Sequence, residues 1–148
     1  MDDVDRRILS RIQKNFPLVE RPFKTLADEL GLTEKEMMDR IRRLKGDGII
    51  YRLGASLDSR KIGLVSSLCA ARVPEERIED FVREVNRHPG VTHNYRRNHE
   101  YNVWFTMTAR NYEEIESFLQ RVSERTGVRD ILNLPSLKIF KINVEFSF

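Results

Sequence analysis

The chain has few of the residues that would hold it together or anchor it by covalent, metal or lipid means. Its 148 residues include a single cysteine, Cys69, so no internal disulfide can form and no cysteine cluster can hold a metal. Cys69 lies in the apolar run LVSSLCAARV, where a buried, inert thiol is the expected state. No run of about 18 apolar residues exists, which excludes a membrane-spanning helix on sequence grounds. Nothing at the start resembles a signal peptide, and a reducing cytoplasm is the expected compartment. Charge of one sign is also scarce: 26 basic residues against 23 acidic ones leave a formal net charge of +3. Duplex DNA binding rests mainly on neutralising phosphates, so this balance is weak evidence against it.

Charged residues make up 33% and hydrophobic ones 40%, the mixture of a globular protein. Their spacing divides the chain near residue 60. In the first part, Val4, Ile8, Leu9 and Ile12 recur at helical spacing behind Asp2, Asp3 and Asp5, which favour a helix N-terminus. NFPLVERPF breaks that pattern with two prolines. A short helix follows with Leu26, Ala27 and Leu30 inward, ending at Gly31. Thr33 and Glu36 predict a capping box for a third helix with Met37, Ile41 and Leu44 inward. Ile49–Leu53 predicts a short wing strand. The expectation for residues 1–60 is a winged helix-turn-helix domain with a linker.

After Gly63 the rhythm changes. Leu64–Val73 predicts a strand, and residues 75–87 a helix with Ile78, Phe81, Val82 and Val85 on one stripe. A strand pair follows, then a helix over 112–126 with Ile115, Phe118, Leu119 and Val122 inward. The tail from Val128 predicts a final strand region interrupted at Pro135, with Phe140, Ile142, Val144 and Phe146 alternating against Lys141, Asn143 and Glu145. This β-α-β-β-α-β order predicts a ferredoxin-like domain over 61–148, so the whole chain is an α+β protein. Two helices would cover one sheet face and leave the other for a ligand or a partner subunit.

The strand pair holds the chemistry. VTHNYRRNHEYNVWFT, residues 91–106, packs two histidines, two arginines, two tyrosines and the chain's tryptophan into one hairpin. His93, Tyr95 and Arg97 alternate and so share one side of a strand. Arg96 points the other way from Arg97. His99 falls in the turn. Asn102 and Trp104 lie opposite Tyr101 and Val103 on the returning strand, and only the cross-strand register decides which set meets His93. His88, before Pro89, is expected to be a structural residue at a helix end. No metal-ligand cluster is visible.

The combination of LADELGLTEKEMMDRIRRLKGDGII, LDSRKIGL and the α+β half resembles the Lrp/AsnC regulators over nearly the whole chain. The hairpin departs from them: NHEYN stands where those regulators carry a glycine-centred effector turn. HNYRRNHEYNVWFT and FPLVERPF are instead similar to the siroheme decarboxylases, an Lrp/AsnC-like enzyme family of the alternative haem and haem d1 pathways. The resemblance implies oxygen-independent removal of CO2 from two acetate side chains of siroheme, leaving methyl groups. It implies His93 and His99 as acid or base, or as candidates to contact the iron. Arg97, with Arg96, would hold carboxylates, and Tyr95, Tyr101, Asn102 and Trp104 would line the macrocycle or hydrogen-bond to it. An imidazole suits proton transfer because its unperturbed pKa is about 6.5. No cofactor is expected beyond the iron-containing tetrapyrrole substrate. The partner implied is a homologous second decarboxylase subunit in a heterodimer, or a homo-oligomer. The rival expectation is a DNA-binding transcription regulator, including one that senses haem through the same hairpin. Against it, the first turns of the would-be recognition helix carry Glu34, Glu36 and Asp39 against Lys35.

Overall fold

A computed structural model describes residues 1–55, 57–141 and 146 of the chain. The chain forms two compact units: residues 1–55 with 141–148, and residues 56–140. No described helix is long and apolar enough to cross a membrane.

The first unit contains α1 (Asp3–Lys14), α2 (Pro22–Leu30) and α3 (Glu34–Gly46). Each start and stop has a local cause. Asp2 and Asp5 form a reciprocal capping box on α1, and Thr33 and Glu36 do so on α3. Pro22 opens α2, where a missing N–H costs nothing, and Gly31 closes it at φ 71°. The stripes read from the sequence meet in one core of Ile8, Leu9, Leu26, Met37, Ile41 and Leu44. The expected wing strand over Ile49–Leu53 does not form. Gly48 turns the chain at φ 71°, and the amides of Ile49 and Ile50 both donate to the Leu44 carbonyl. With those groups spent, and no neighbouring strand among the described residues, the segment has no ladder to join.

Asp5 is fully buried in this unit. It accepts from Arg40 at 2.7 Å and Arg43 at 2.5 Å, and Arg40 also reaches Asp2 at 2.8 Å. Burial by itself would raise the Asp5 carboxyl. The Asp2 contact and the two guanidiniums outweigh it and hold Asp5 below the ordinary carboxylate range. Asp2, hydrogen-bonded to Arg40, is lowered to about 2. The four residues tie α1 to α3.

The second unit runs β1 (Val65–Ala71), α4 (Ile78–Asn86), β2 (Val91–Arg96), β3 (Val103–Ala109), α5 (Tyr112–Thr126) and β4 (Ile131–Pro135). A 3-10 turn, Glu75–Arg77, takes the first turn of the helix expected from residue 75. The four strands are antiparallel in the order β2-β3-β1-β4, the ferredoxin-like arrangement. One face packs on the helices: Phe81 and Val85 of α4, and Ile115, Phe118, Leu119 and Val122 of α5, are buried against Cys69, Val103, Phe105 and Met107. Phe105 meets both Phe81 and Phe118, at ring separations of 6.3 and 6.4 Å. Burial and the charge of Glu116 push the Cys69 thiol up to about 12, so it stays protonated and inert. Of the expected last strand, β4 forms before the break at Pro135. Phe140 is exposed, Phe146 exchanges two hydrogen bonds with Gln13 in the first unit, and residues 142–145 lie outside the described set.

Candidate active site

The register of the β2–β3 hairpin fixes the site. His93 pairs with Thr106, Asn94 with Phe105, Tyr95 with Trp104 and Arg96 with Val103. Phe105 and Val103 are buried against the helices, so His93, Tyr95, Trp104 and Thr106 occupy the opposite, open face. The parity left undecided by the sequence is therefore settled: Trp104 stands with the histidine.

A bulge makes this possible. Val91 pairs with Met107 and packs against the helix-side core, yet His93, two residues on, pairs with Thr106. Thr92 is the extra residue between them, and it moves His93 and Tyr95 to the open face. Its hydroxyl also lies 3.0 Å from His93 Nδ1. Gly90, just before the strand, is a glycine because β3 passes too close for anything larger: a Cβ there would sit 2.2 Å from the Thr108 carbonyl oxygen.

The open face has a graded character. On β1 and β4 it carries Leu68 and Ala70 paired with Leu134 and Leu132. The three leucines remain 37–42% exposed. On β2 it carries the His93 and Tyr95 rings, 6.1 Å apart and nearly parallel. The Arg97 guanidinium lies over the Trp104 indole at 5.5 Å. The result is an apolar floor with an aromatic edge and a cation at one end. Such a surface suits a flat, partly aromatic anion.

The two adjacent arginines differ in what they can do. Arg96 points to the helix side and holds Glu75 at 2.7 Å. Arg97 makes no side-chain hydrogen bond or ion pair among the described residues. Arg96 is thus engaged by Glu75, while Arg97 has no such partner among the described residues. Asn102 too has partners within the fold. Its amide clasps both backbone groups of Val73, accepting from the N–H at 2.9 Å and donating to the carbonyl at 2.8 Å, which leaves it a structural residue. The Tyr101 hydroxyl donates to Asp130 at 2.9 Å rather than facing the open sheet. The Trp104 N–H donates to the Tyr101 carbonyl, so its indole offers only a face. His99 is exposed in the turn, where its Nδ1 accepts from the Tyr101 amide at 3.1 Å. A neutral ring so held carries its proton on Nε2. His88 is structural as expected: its Nδ1 accepts from the Gly90 amide and its ring packs on Phe118 at 4.9 Å.

Sequence reasoning missed Thr92, Arg72 and Asp130. Thr92 gave no signal, because a bulge is a property of the paired strands. Arg72 and Asp130 lie outside the hairpin, at the ends of strands whose adjacency appears only in the sheet order. No group of three or more histidine, cysteine, aspartate or glutamate side chains is placed to hold a metal among the described residues.

Four of the five cations of α3 are paired. Arg40 and Arg43 are committed to Asp2 and Asp5, while Lys35 and Arg42 both pair with Asp39. Arg21 pairs with Glu34.

Comparison with known proteins separates the two readings of this scaffold. Residues 5–50 match the model of the siroheme decarboxylase NirDL-like HTH domain, and residues 61–141 that of the AsnC-like ligand binding domain. The siroheme decarboxylase alpha subunit of Nitratidesulfovibrio vulgaris (strain Hildenborough) is 54% identical over 99% of this chain and 82% of its own length. The chain belongs to the siroheme decarboxylase family. Among solved structures, a siroheme decarboxylase NirDL in co-complex with an iron-uroporphyrin III analogue matches 98% of this chain with 36% identity and a TM-score of 0.69. This chain spans about half of that one, 48%. The leucine response regulatory protein LrpA of Mycobacterium tuberculosis superposes better, at a TM-score of 0.83 over 99% of both chains, but at 19% identity. The decarboxylase family therefore shares the regulators' fold and differs from them in the residues it carries.

Proposed function

We propose that this chain is a siroheme decarboxylase subunit, a carboxy-lyase that removes CO2 from two acetate side chains of siroheme without oxygen. The observation that carries this reading is Arg97: an uncommitted guanidinium laid on Trp104, on the same open face as Tyr95 and His93. The apolar floor and aromatic edge receive the macrocycle, and the guanidinium fork holds a peripheral carboxylate by paired hydrogen bonds. In each decarboxylation the bond between the methylene and carboxylate carbons breaks and CO2 leaves. Its electron pair stays on the methylene and is spread into the macrocycle. An imidazole, His93 or His99, delivers one proton to that carbon and leaves a methyl group. The iron arrives within the substrate, and no further cofactor enters. The reaction runs in the cytoplasm, with a homologous second subunit covering the open face. Anaerobic incubation of the purified chain with siroheme, alone and with that homologue, tests the reading: two successive losses of CO2 are expected by mass. No loss in either arm overturns it.

The two arginines make an internal control. Arg97→Ala is expected to raise KM for siroheme about 10- to 100-fold, the range for a charge-assisted hydrogen bond. Arg97→Lys should fall between, keeping the charge without the fork. Arg96→Ala loses only an exposed ion pair, worth under about 1 kcal/mol, and should leave turnover unchanged.

The regulator alternative has a direct check. With Lys35, Arg40, Arg42 and Arg43 of α3 held by internal carboxylates, mobility shifts across a salt series should show only non-specific binding, with Kd of about 10⁻⁴ to 10⁻⁶ M at physiological salt. A shift on its own promoter at nanomolar protein would count for the regulator.

A further inference from the structure

We propose that Asp130 and Arg72, both outside the hairpin, are positioning residues that set the imidazole of His99 by acting through Tyr101; the catalytic part of this rests on the function proposed above. His99 lies on an exposed bend, the kind of segment that ordinarily samples many conformations. Its described contacts both lead to Tyr101: the Tyr101 amide donates to His99 Nδ1 at 3.1 Å, and the two rings lie 6.3 Å apart and nearly parallel. Where Tyr101 goes, the acceptor nitrogen follows.

Tyr101 is in turn held from three directions. Its hydroxyl donates to Asp130 Oδ1 at 2.9 Å, a charge-assisted bond. Its ring lies beneath the Arg72 guanidinium at 5.2 Å. Its carbonyl accepts from the Trp104 indole at 2.7 Å. Arg72 bridges the other groups, reaching Asp130 and Glu100 at 3.1 Å each, and its backbone amide donates to the Asp130 carbonyl at 3.0 Å. Arg72 follows β1 and Asp130 precedes β4, so the clasp fastens the hairpin tip to the ends of the central strand β1 and the far edge strand β4. As an ion pair the Arg72–Asp130 contact is about half exposed and adds little stability. Its consequence is geometric. It fixes which nitrogen of His99 stays bonded to backbone and which one, Nε2, is presented with its proton.

Four variants test this: Tyr101→Phe, Asp130→Ala, Arg72→Gln and the conservative Asp130→Asn, whose amide oxygen still accepts from the phenol. The first readout needs no substrate. Nitrogen NMR of histidine-labelled chain should show His99 as the Nε2–H tautomer in the wild type and in Asp130→Asn, and as a tautomer mixture in the other three. The second is siroheme turnover with the homologous subunit present. Tyr101→Phe and Asp130→Ala should lose about 10- to 100-fold in kcat, with KM near the wild-type value, as expected for a misplaced catalytic group. Asp130→Asn should recover most of it. An unchanged His99 tautomer in Tyr101→Phe and Asp130→Ala overturns the proposal, as does a loss confined to KM. Absence of turnover in the wild type would remove the catalytic reading while the NMR arm still decides the positioning.

Discussion

Siroheme turnover is expected to fall by about 10²- to 10⁴-fold when His93 is replaced by alanine, the range for losing a positioned general acid. Folding should be unaffected, because His93 stands on the open face of an edge strand and contributes nothing to the core. His99→Ala should cost a comparable factor for the same reason, since its ring is exposed in the turn. Single-turnover decarboxylation under anaerobic conditions measures the effect, with circular dichroism and thermal melting as the control on structure. Near-normal rates in both variants would remove the histidines from the mechanism. A loss in one only would assign the proton delivery to it.

The second large effect lies in the helix-turn-helix. Asp5→Asn keeps the shape but removes the charge that Arg40 and Arg43 share. Breaking a buried pair costs about 3–5 kcal/mol. Here the guanidiniums are a quarter and a half exposed, and water recovers part of that. A loss of about 2–3 kcal/mol in the first unit is expected, read by hydrogen exchange of α1 and α3 amides. The same carboxylates set the acid response. The folded-state pKa values of Asp2 and Asp5 lie below the ordinary value of 3.8. Their stabilisation is therefore complete above that value and lost as pH falls through the folded values, about 2 for Asp2. Wild-type protection in this unit should decline between about pH 4 and pH 2, and Asp5→Asn should show a shallower decline. A flat wild-type profile would contradict the pairing.

Asp5 also shows how far the sequence could be read. It stands three residues before Ile8 and four before Leu9, on the inner stripe of α1, so its burial was implicit in the helical period. Next to Asp2 and Asp3 it looked instead like one more charge favouring the helix dipole. The helices themselves were legible because caps, periodicity and stops agreed, as at Thr33, Glu36 and Gly31. The wing was not, because a strand exists only with a partner and no local pattern supplies one. In the site, the sharing of one side by His93, Tyr95 and Arg97 followed from alternation alone. The division of labour between Arg96 and Arg97 became firm only once Glu75 was found beside the first. The structural duty of Asn102 depended on Val73, a residue 29 positions away.

The bulge at Thr92 has a consequence for how this hairpin can vary between related chains. Because the site is written in the parity of one strand, its pairing is constrained more tightly than its composition. Straightening the segment, so that Thr92 paired with Thr106 and His93 with Phe105, would turn the imidazole and the Tyr95 phenol toward Phe81 and Phe105, and would bring Asn94 and Arg96 out in their place. Every side chain of the site would still be present in the sequence, in the same order, and the surface would be lost. Two homologues could therefore share each functional residue of the motif and differ in function by whether the residue before it is bulged out of the ladder.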